Sequence, residues 1–214
     1  MSSLDNAFPP APWRLKGTAL FQSGLVGMSA ARALTPPELA VVPVLPGKTL
    51  GGLYYARYTE GSSLQYHELI VVSAVVRFRW KLGAWISHIY VDDLRSEAGG
   101  RAIWGLPKQQ AQFEEMADQS MSISQAGTRL CSIVRRTPDT WQTLPLMAPV
   151  ISVKAEGPVW FRGNGRARCG ISPGTIDVPA ESPFASLKLG AEPGSPQRRQ
   201  LHLDRLNLVM QPPG

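Results

Sequence analysis

The chain has 214 residues, of which 43% are apolar and 18% charged, with a formal net charge of +6. That length fits one domain able to bury a real core, and the composition excludes a disordered chain or a coiled coil. The basic residues are scattered, apart from short pairs such as Arg135-Arg136 and Arg198-Arg199. They lay down no nucleic-acid footprint, and the excess reads as surface charge favouring small anionic substrates.

Cys131 and Cys169 form no Cys-x-x-Cys pair, which fits reduced, buried thiols in a cytoplasmic protein. The opening MSSLDNAFPPAP lacks the basic and apolar regions of a signal peptide. The longest apolar run, Leu69 to Val76, has strand length, so no membrane span is expected.

Residues 1–12 are polar and proline-rich and read as a flexible arm, leaving 13–214 as a single domain. Thr18 to Val26 is a first strand. Ser29 to Leu34 reads as a short helix with Ser29 as its cap, stopped by Pro36-Pro37. Thr49 to Tyr58 is a second strand, with Gly51-Gly52 marking a bend or bulge.

From Tyr66 to Trp80 the residues Ile70, Val72, Ala74, Val76, Phe78 and Trp80 alternate onto one face, which is strand period with that face buried. Glu68 shares their parity. A carboxylate there either sits solvated at the strand mouth or is desolvated, and the second case demands a cation or donors. Ala84 to Asp92 is another strand. Asp93 to Gly99 reads as a helical turn closed by the glycines. Strand pattern resumes at Pro107 to Glu114, Ser120 to Gln125 and Leu130 to Arg136. Residues 157–194 are rich in proline and glycine and read mostly as loops with short strands, and Leu201 to Met210 closes the chain. Many short strands with few helices predict a mainly β (α+β) fold, an antiparallel sheet curled into a cone or barrel.

Familiar site signatures are missing. GNGRARCG at Gly163 is not a dinucleotide fingerprint, and there is no Walker loop or nucleophile elbow. His67, His88 and His202 stand apart in sequence, so no metal and no cofactor is expected. What remains is lysine chemistry around Ala98 to Phe113, AGGRAIWGLPKQQAQF. Lys108 follows a proline at the start of a strand. A lysine amine can attack a carbonyl to form an iminium, but only when neutral. At an ordinary pKa near 10.4, roughly a few molecules in ten thousand are neutral at pH 7. Desolvation or a neighbouring cation has to lower that pKa, and Arg101 is the nearest candidate cation in sequence. Strict alternation puts Lys108 with Gln110 and Gln112, opposite Ala111 and Phe113, which is also the pattern of an ordinary surface lysine.

Taken in order, these features resemble the acetoacetate decarboxylase family. They are Glu68 on a strand, the strand end Ile89 to Asp92, Gly100-Arg101, and then Pro107-Lys108. AARALTPPEL at Ala30 to Leu39 is similar to the family's short helix and turn. The resemblance implies a curled β cone, often oligomeric, and cofactor-free Schiff-base chemistry on a small keto or oxo acid, either decarboxylation or a related C–C lyase or aldol-type reaction. By position Lys108 is the nucleophile and Glu68 a proton shuttle or substrate orienter. Arg101 is a charge that tunes the lysine or anchors a carboxylate. The chain departs from the family at Gln109, where a second lysine is usual, and at Ala102 after Gly100-Arg101. It departs again at Leu53, where a second glutamate is expected, and near Gly17-Thr18, where an arginine is. These departures argue against acetoacetate itself and leave related lyase or aldol-type reactions open.

A longer stretch, including APWRLKGTALFQ, HELIVV and GLPKQQAQF, resembles the plant neoxanthin-deficient branch of the same superfamily. That resemblance implies an alternative: a non-catalytic binding protein for an apolar ligand such as a carotenoid, with Lys108 in a structural role.

Overall fold

β-Branched and aromatic residues crowd the first half of the chain, and there they form long strands. The structure, a computed structural model, describes residues 8–118, 120–191 and 197–214. In chain order the elements begin β1 (Trp13–Gly27), α1 (Met28–Ala33), β2 (Ala40–Val41), β3 (Lys48–Tyr58), β4 (Tyr66–Phe78) and β5 (Lys81–Val91). Next come α2 (Leu94–Trp104), β6 (Lys108–Gln110), β7 (Gln112–Glu115), β8 (Met121–Gln125) and β9 (Thr128–Val134). β10 (Gln142–Lys154), β11 (Gly157–Asp177), a 3-10 turn (Ala185–Leu187) and β12 (Arg198–Met210) complete the fold.

The strands lie in the order β10-β5-β4-β3-β1-β12-β11, and β10 also pairs with β11, so the pairings return to their start. This is the curled sheet that the strand pattern predicts. Its pairs are antiparallel except for the short parallel contacts of β5 with β10 and β6. The far end of β11 leaves this circuit and pairs with β9, which carries β8 and β7 beside it. The sheet sorts its side chains onto two cores. The inner core holds Leu15, Ala56, Ile89, Phe161 and Leu203. The outer core packs Leu69, Val71, Ile123, Ile133 and Phe184, joining the sheet to β8, β9 and the segment around the 3-10 turn.

Several expectations change. β4 does not keep one face throughout. Its pairing with β5 slips at Ser73 and again at Ser87, so one residue on each strand has no partner. Tyr66, Glu68, Ile70 and Val72 face inward, while Ala74 and Val76 join the outer core. Trp80, expected on the buried face, sits in the hairpin beyond the bulge and is 81% exposed. Gly51-Gly52 makes no bulge, because β3 pairs in unbroken register with β1 and β4. Helix α1 starts after Gly27 with no side-chain cap, so Ser29 lies within the helix.

α2 does not stop at the glycines but runs through them to Trp104. Residues 157–177, read as mostly loops, are one 21-residue strand. Gly163, Gly165 and Gly170 serve there as close-approach points. A Cβ on Gly165 would stand 2.1 Å from the Asn207 carbonyl oxygen, and one on Gly163 would meet Met210.

Residues 1–7 of the expected arm lie outside the described residues. Phe8 and Ala11 pack against the inner core, and the Trp13 indole donates to the Pro9 carbonyl at 2.7 Å. Among the described residues no helix is long and apolar enough to cross a membrane.

Leu69 has no exposed surface. Leu69→Ala is expected to lower the unfolding free energy by about 2–5 kcal/mol, while Trp80→Ala stays within about 0.5 kcal/mol. Urea unfolding checks both, as a shifted midpoint at constant slope for Leu69 alone.

Candidate active site

The site is built where α2 hands the chain to β6. Asp93 caps the helix by accepting the Ser96 N–H at 2.9 Å. At the other end Gly105 takes a left-handed φ of 64°, which costs glycine nothing. Its N–H donates to the Arg101 carbonyl at 3.0 Å, and the Leu106 N–H donates to the Gly100 carbonyl at 3.1 Å. Pro107 then forms a three-residue turn in which the Lys108 N–H donates to the Leu106 carbonyl at 2.8 Å. β6 emerges parallel to β5 with Lys108 opposite Ile89.

From there the Lys108 side chain runs beneath α2. A Cβ on Gly100 would lie 2.4 Å from its Cδ, and one on Gly99 would strike the Trp13 ring at 2.6 Å. The glycine pair is therefore what lets a helix lie flat on the lysine and the tryptophan. Each glycine costs the helix about 1 kcal/mol relative to alanine.

Lys108 is 3% exposed and Glu68 is 4% exposed. The Lys108 Nζ stands 2.7 Å from Glu68 Oε1. It also donates to the Ser96 hydroxyl at 2.9 Å and to the Tyr66 hydroxyl at 3.4 Å. The ammonium lies 4.9 Å from the Tyr66 ring centre and 5.6 Å from that of Trp13, within cation–π range. Glu68 accepts a hydrogen bond from Tyr58 at 3.1 Å and from Tyr66 at 3.4 Å. Tyr54 extends the chain, its hydroxyl 3.4 Å from that of Tyr58. The cation and donors that a buried Glu68 demands are thus present. Burial pushes the phenols of Tyr54, Tyr58 and Tyr66 well up from their ordinary range, and the Glu68 charge adds to this. All three remain protonated across ordinary pH.

This cluster lies in the wall of a cavity of about 570 Å³ inside the curled sheet. Its lining is otherwise almost entirely apolar, with Trp13, Ile70, Val72, Ile86, Phe161 and Leu208 among the wall residues.

Of the three site residues expected from sequence, Lys108 and Glu68 meet and Arg101 does not join them. Arg101 does not line the cavity. Its Nε donates to the Lys108 carbonyl at 2.8 Å and its guanidinium pairs with Glu97 at 2.8 Å. It ties the backbone of β6 to α2 from outside and offers a carboxylate in the cavity no contact. Gln109 points away from the cavity and accepts from Gln125 at 3.0 Å.

Sequence reasoning missed Tyr58, Tyr66 and Ser96. Tyr66 was readable, because it sits two residues from Glu68 on the same face. Ser96 lies three and four residues before Gly99 and Gly100, hence on one helix face. Tyr58 needed the cross-strand pairing of Tyr58 with Tyr66. The histidines lie apart, with His67 beside Asp92, His88 beside Ser87 and His202 beside Ser172.

Lys108→Met strands the Glu68 carboxylate and is expected to cost about 3–5 kcal/mol, and adding Glu68→Leu should restore most of it. Urea unfolding of the two variants checks this. Above pH 10 the phenols ionise in the unfolded chain while Tyr54, Tyr58 and Tyr66 stay protonated in the fold. Stability is therefore whole below pH 10 and falls as pH rises beyond it, by up to about 1.4 kcal/mol per pH unit for each phenol. Urea midpoints at pH 9 and 11 measure the loss, and Tyr54→Phe should reduce it.

Comparison with known proteins sets this geometry in a family. The acetoacetate decarboxylase (ADC) family matches residues 2–139. The protein NEOXANTHIN-DEFICIENT 1 of Oryza sativa subsp. japonica is 36% identical over 104 residues, covering 49% of this chain and 34% of that protein. Its Arabidopsis thaliana counterpart is 33% identical over 112 residues, covering 52% and 39%. The chain thus spans little more than a third of the length of the curated relatives it matches.

Among solved structures, acetoacetate decarboxylase from Legionella pneumophila superposes with a TM-score of 0.67 at 15% identity, over 97% of this chain and 88% of that one. The enduracididine biosynthesis enzyme MppR, complexed with the condensation product of pyruvate and imidazole 4-carboxaldehyde, gives 0.60 at 15% identity, over 95% and 88%. These likenesses establish the fold. With the family match spanning both Glu68 and Lys108, the chain belongs to the acetoacetate decarboxylase family.

Proposed function

We propose that the protein carries out Schiff-base chemistry with Lys108 as nucleophile on a keto or oxo compound, as a lyase or in a related aldol-type reaction. The observation that carries this reading is the buried Lys108–Glu68 pair in the wall of an apolar cavity. Ammonium and carboxylate at 2.7 Å can exchange one proton, and in surroundings of low polarity the exchange removes two opposed charges. It leaves a neutral amine beside a carboxylic acid, which is the nucleophile the reaction needs.

The steps follow from these groups. The amine adds to the carbonyl carbon, and Glu68 gives a proton to the departing hydroxyl as water leaves. The resulting iminium accepts the electron pair of a neighbouring C–C bond as that bond breaks, and the other fragment leaves as carbon dioxide or, in a retro-aldol cleavage, as a carbonyl compound whose hydroxyl proton passes to the Glu68 carboxylate. Protonation of the enamine carbon and addition of water then release the product and the free amine. Tyr66, which accepts from Lys108 and donates to Glu68, offers a hydroxyl relay between the two. Arg101 serves as a positioning residue, holding the Lys108 backbone.

The second reading, a non-catalytic carrier of an apolar ligand, is supported by the apolar lining and by the similarity to the NEOXANTHIN-DEFICIENT 1 proteins. Self-association belongs to either reading. It is supported by Leu25, Val44 and Leu45, large apolar side chains left exposed.

Borohydride reduction in the presence of keto acids, ketones and aldehydes tests the first reading. A reduced adduct mapped by mass spectrometry to Lys108, absent in Lys108→Ala, is the expected result. Labelling spread evenly over the surface lysines, with none on Lys108, would overturn it.

A further inference from the structure

The cavity's shape and charge say more about what fits it. Its lining follows the strands lengthwise. On β4 it runs through Tyr66, Glu68, Ile70, Val72 and Val75, and on β5 through Ile89, Ile86, Ala84 and Leu82. At about 3.3 Å per residue these runs span roughly 23–30 Å. One end is the buried Lys108–Glu68 pair. The other is open: Leu82 and Met147 line the cavity there and are 52% and 67% exposed. The wall between them carries no charge.

Size excludes a small ligand as the natural fit. The cavity has a volume of about 570 Å³. It lies in the range that takes drug-sized molecules. A keto acid of a few carbons would leave most of the wall without contact.

Charge excludes an acid. Among the described residues the charged groups lining the cavity are Lys108 and Glu68, and they cancel. Once the lysine has become an iminium, Glu68 balances it as a carboxylate. A substrate carboxylate would then be a third, uncompensated charge in an apolar wall, and Arg101 is not there to meet it.

Resting on the Schiff-base reading above, we infer that the cavity takes an uncharged ketone or aldehyde with a long apolar body. The carbonyl lies at Lys108 and the body runs along Ile70, Val72 and Ile86 to the mouth at Leu82 and Met147. This substrate differs from the small keto or oxo acid that the family resemblance implies. Adduct formation needs no co-reactant: a C–N bond forms and the carbonyl oxygen leaves as water, taking one proton from the amine and the one held between Lys108 and Glu68, which leaves an iminium beside a carboxylate.

The test is borohydride trapping on Lys108 with three probe series: methyl ketones from butanone to tridecanone, β-keto acids of matching length, and pyruvate. The readout is the concentration giving half-maximal Lys108 adduct. It should fall roughly threefold to fourfold for each methylene added to the ketone, as buried hydrocarbon predicts. The β-keto acids should need at least tenfold higher concentrations than ketones of equal length. Ile86→Trp, which fills the middle of the cavity, should flatten the chain-length trend, with circular dichroism confirming that the variant folds. The thresholds for wild-type protein decide the matter should it not fold.

Equal trapping of short and long ketones, or tighter trapping of the acids, would overturn this inference and leave the Schiff-base reading standing. Trapping of Lys108 by no probe would overturn both.

Discussion

A lysine and a glutamate held 2.7 Å apart and almost wholly buried make the strongest demand in this molecule. Withdrawing either charge alone from water costs several kcal/mol, and their attraction offsets this only with close geometry and filled hydrogen-bonding sites. The surrounding structure meets both conditions. Ser96 and Tyr66 occupy the ammonium, Tyr58 and Tyr66 occupy the carboxylate, and two aromatic rings lie within cation–π range.

Meeting those conditions explains choices that look costly in isolation. Two consecutive glycines weaken α2, yet any side chain at Gly100 would collide with the lysine stem. Pro107 gives up a donor, but the turn it makes starts β6 with Lys108 opposite Ile89. Arg101 spends its guanidinium outside the cavity, on the Lys108 carbonyl and Glu97, and so fixes α2 to the strand that carries the lysine. Local stability is surrendered around the pair, and the two cores of the curled sheet supply it elsewhere.

How much of this was legible depends on whether a residue's neighbours were close in sequence. Glu68 could be placed on an inward face because the alternation from Tyr66 to Val72 is regular, and Tyr66 follows by the same count. The alternation misled beyond Ser73, since a slipped pairing leaves no mark in the apolar pattern. It misled at Lys108 as well. The chain leaves β5's side at Ala111 and joins a different part of the sheet at Gln112, so parity does not carry across. Glycines were read as breaks in Gly99-Gly100 and along 157–177. In both places they answer to an approaching group from another element, Trp13 and Lys108 in one case and Asn207 in the other. The family could be recognised from the order of Glu68, Gly100-Arg101 and Pro107-Lys108. Arg101's outward course could not, because it depends on how α2 lies on β6.

The two slips between β4 and β5, at Ser73 and Ser87, add curl to the sheet. They also bear on how this chain can vary over evolutionary time. Each serine is a supernumerary residue, flanked on one side by a residue that faces inward and on the other by one that faces outward. Excising it would leave a regular strand in which Glu68, Ile70 and Val72 still point inward and Ala74 and Val76 still point outward. Strand length can therefore change by one at these two places, straightening the wall without turning it inside out. Gaps between lineages are tolerable at Ser73 and Ser87, whereas a gap between Tyr66 and Val72 would carry Glu68 out of reach of Lys108.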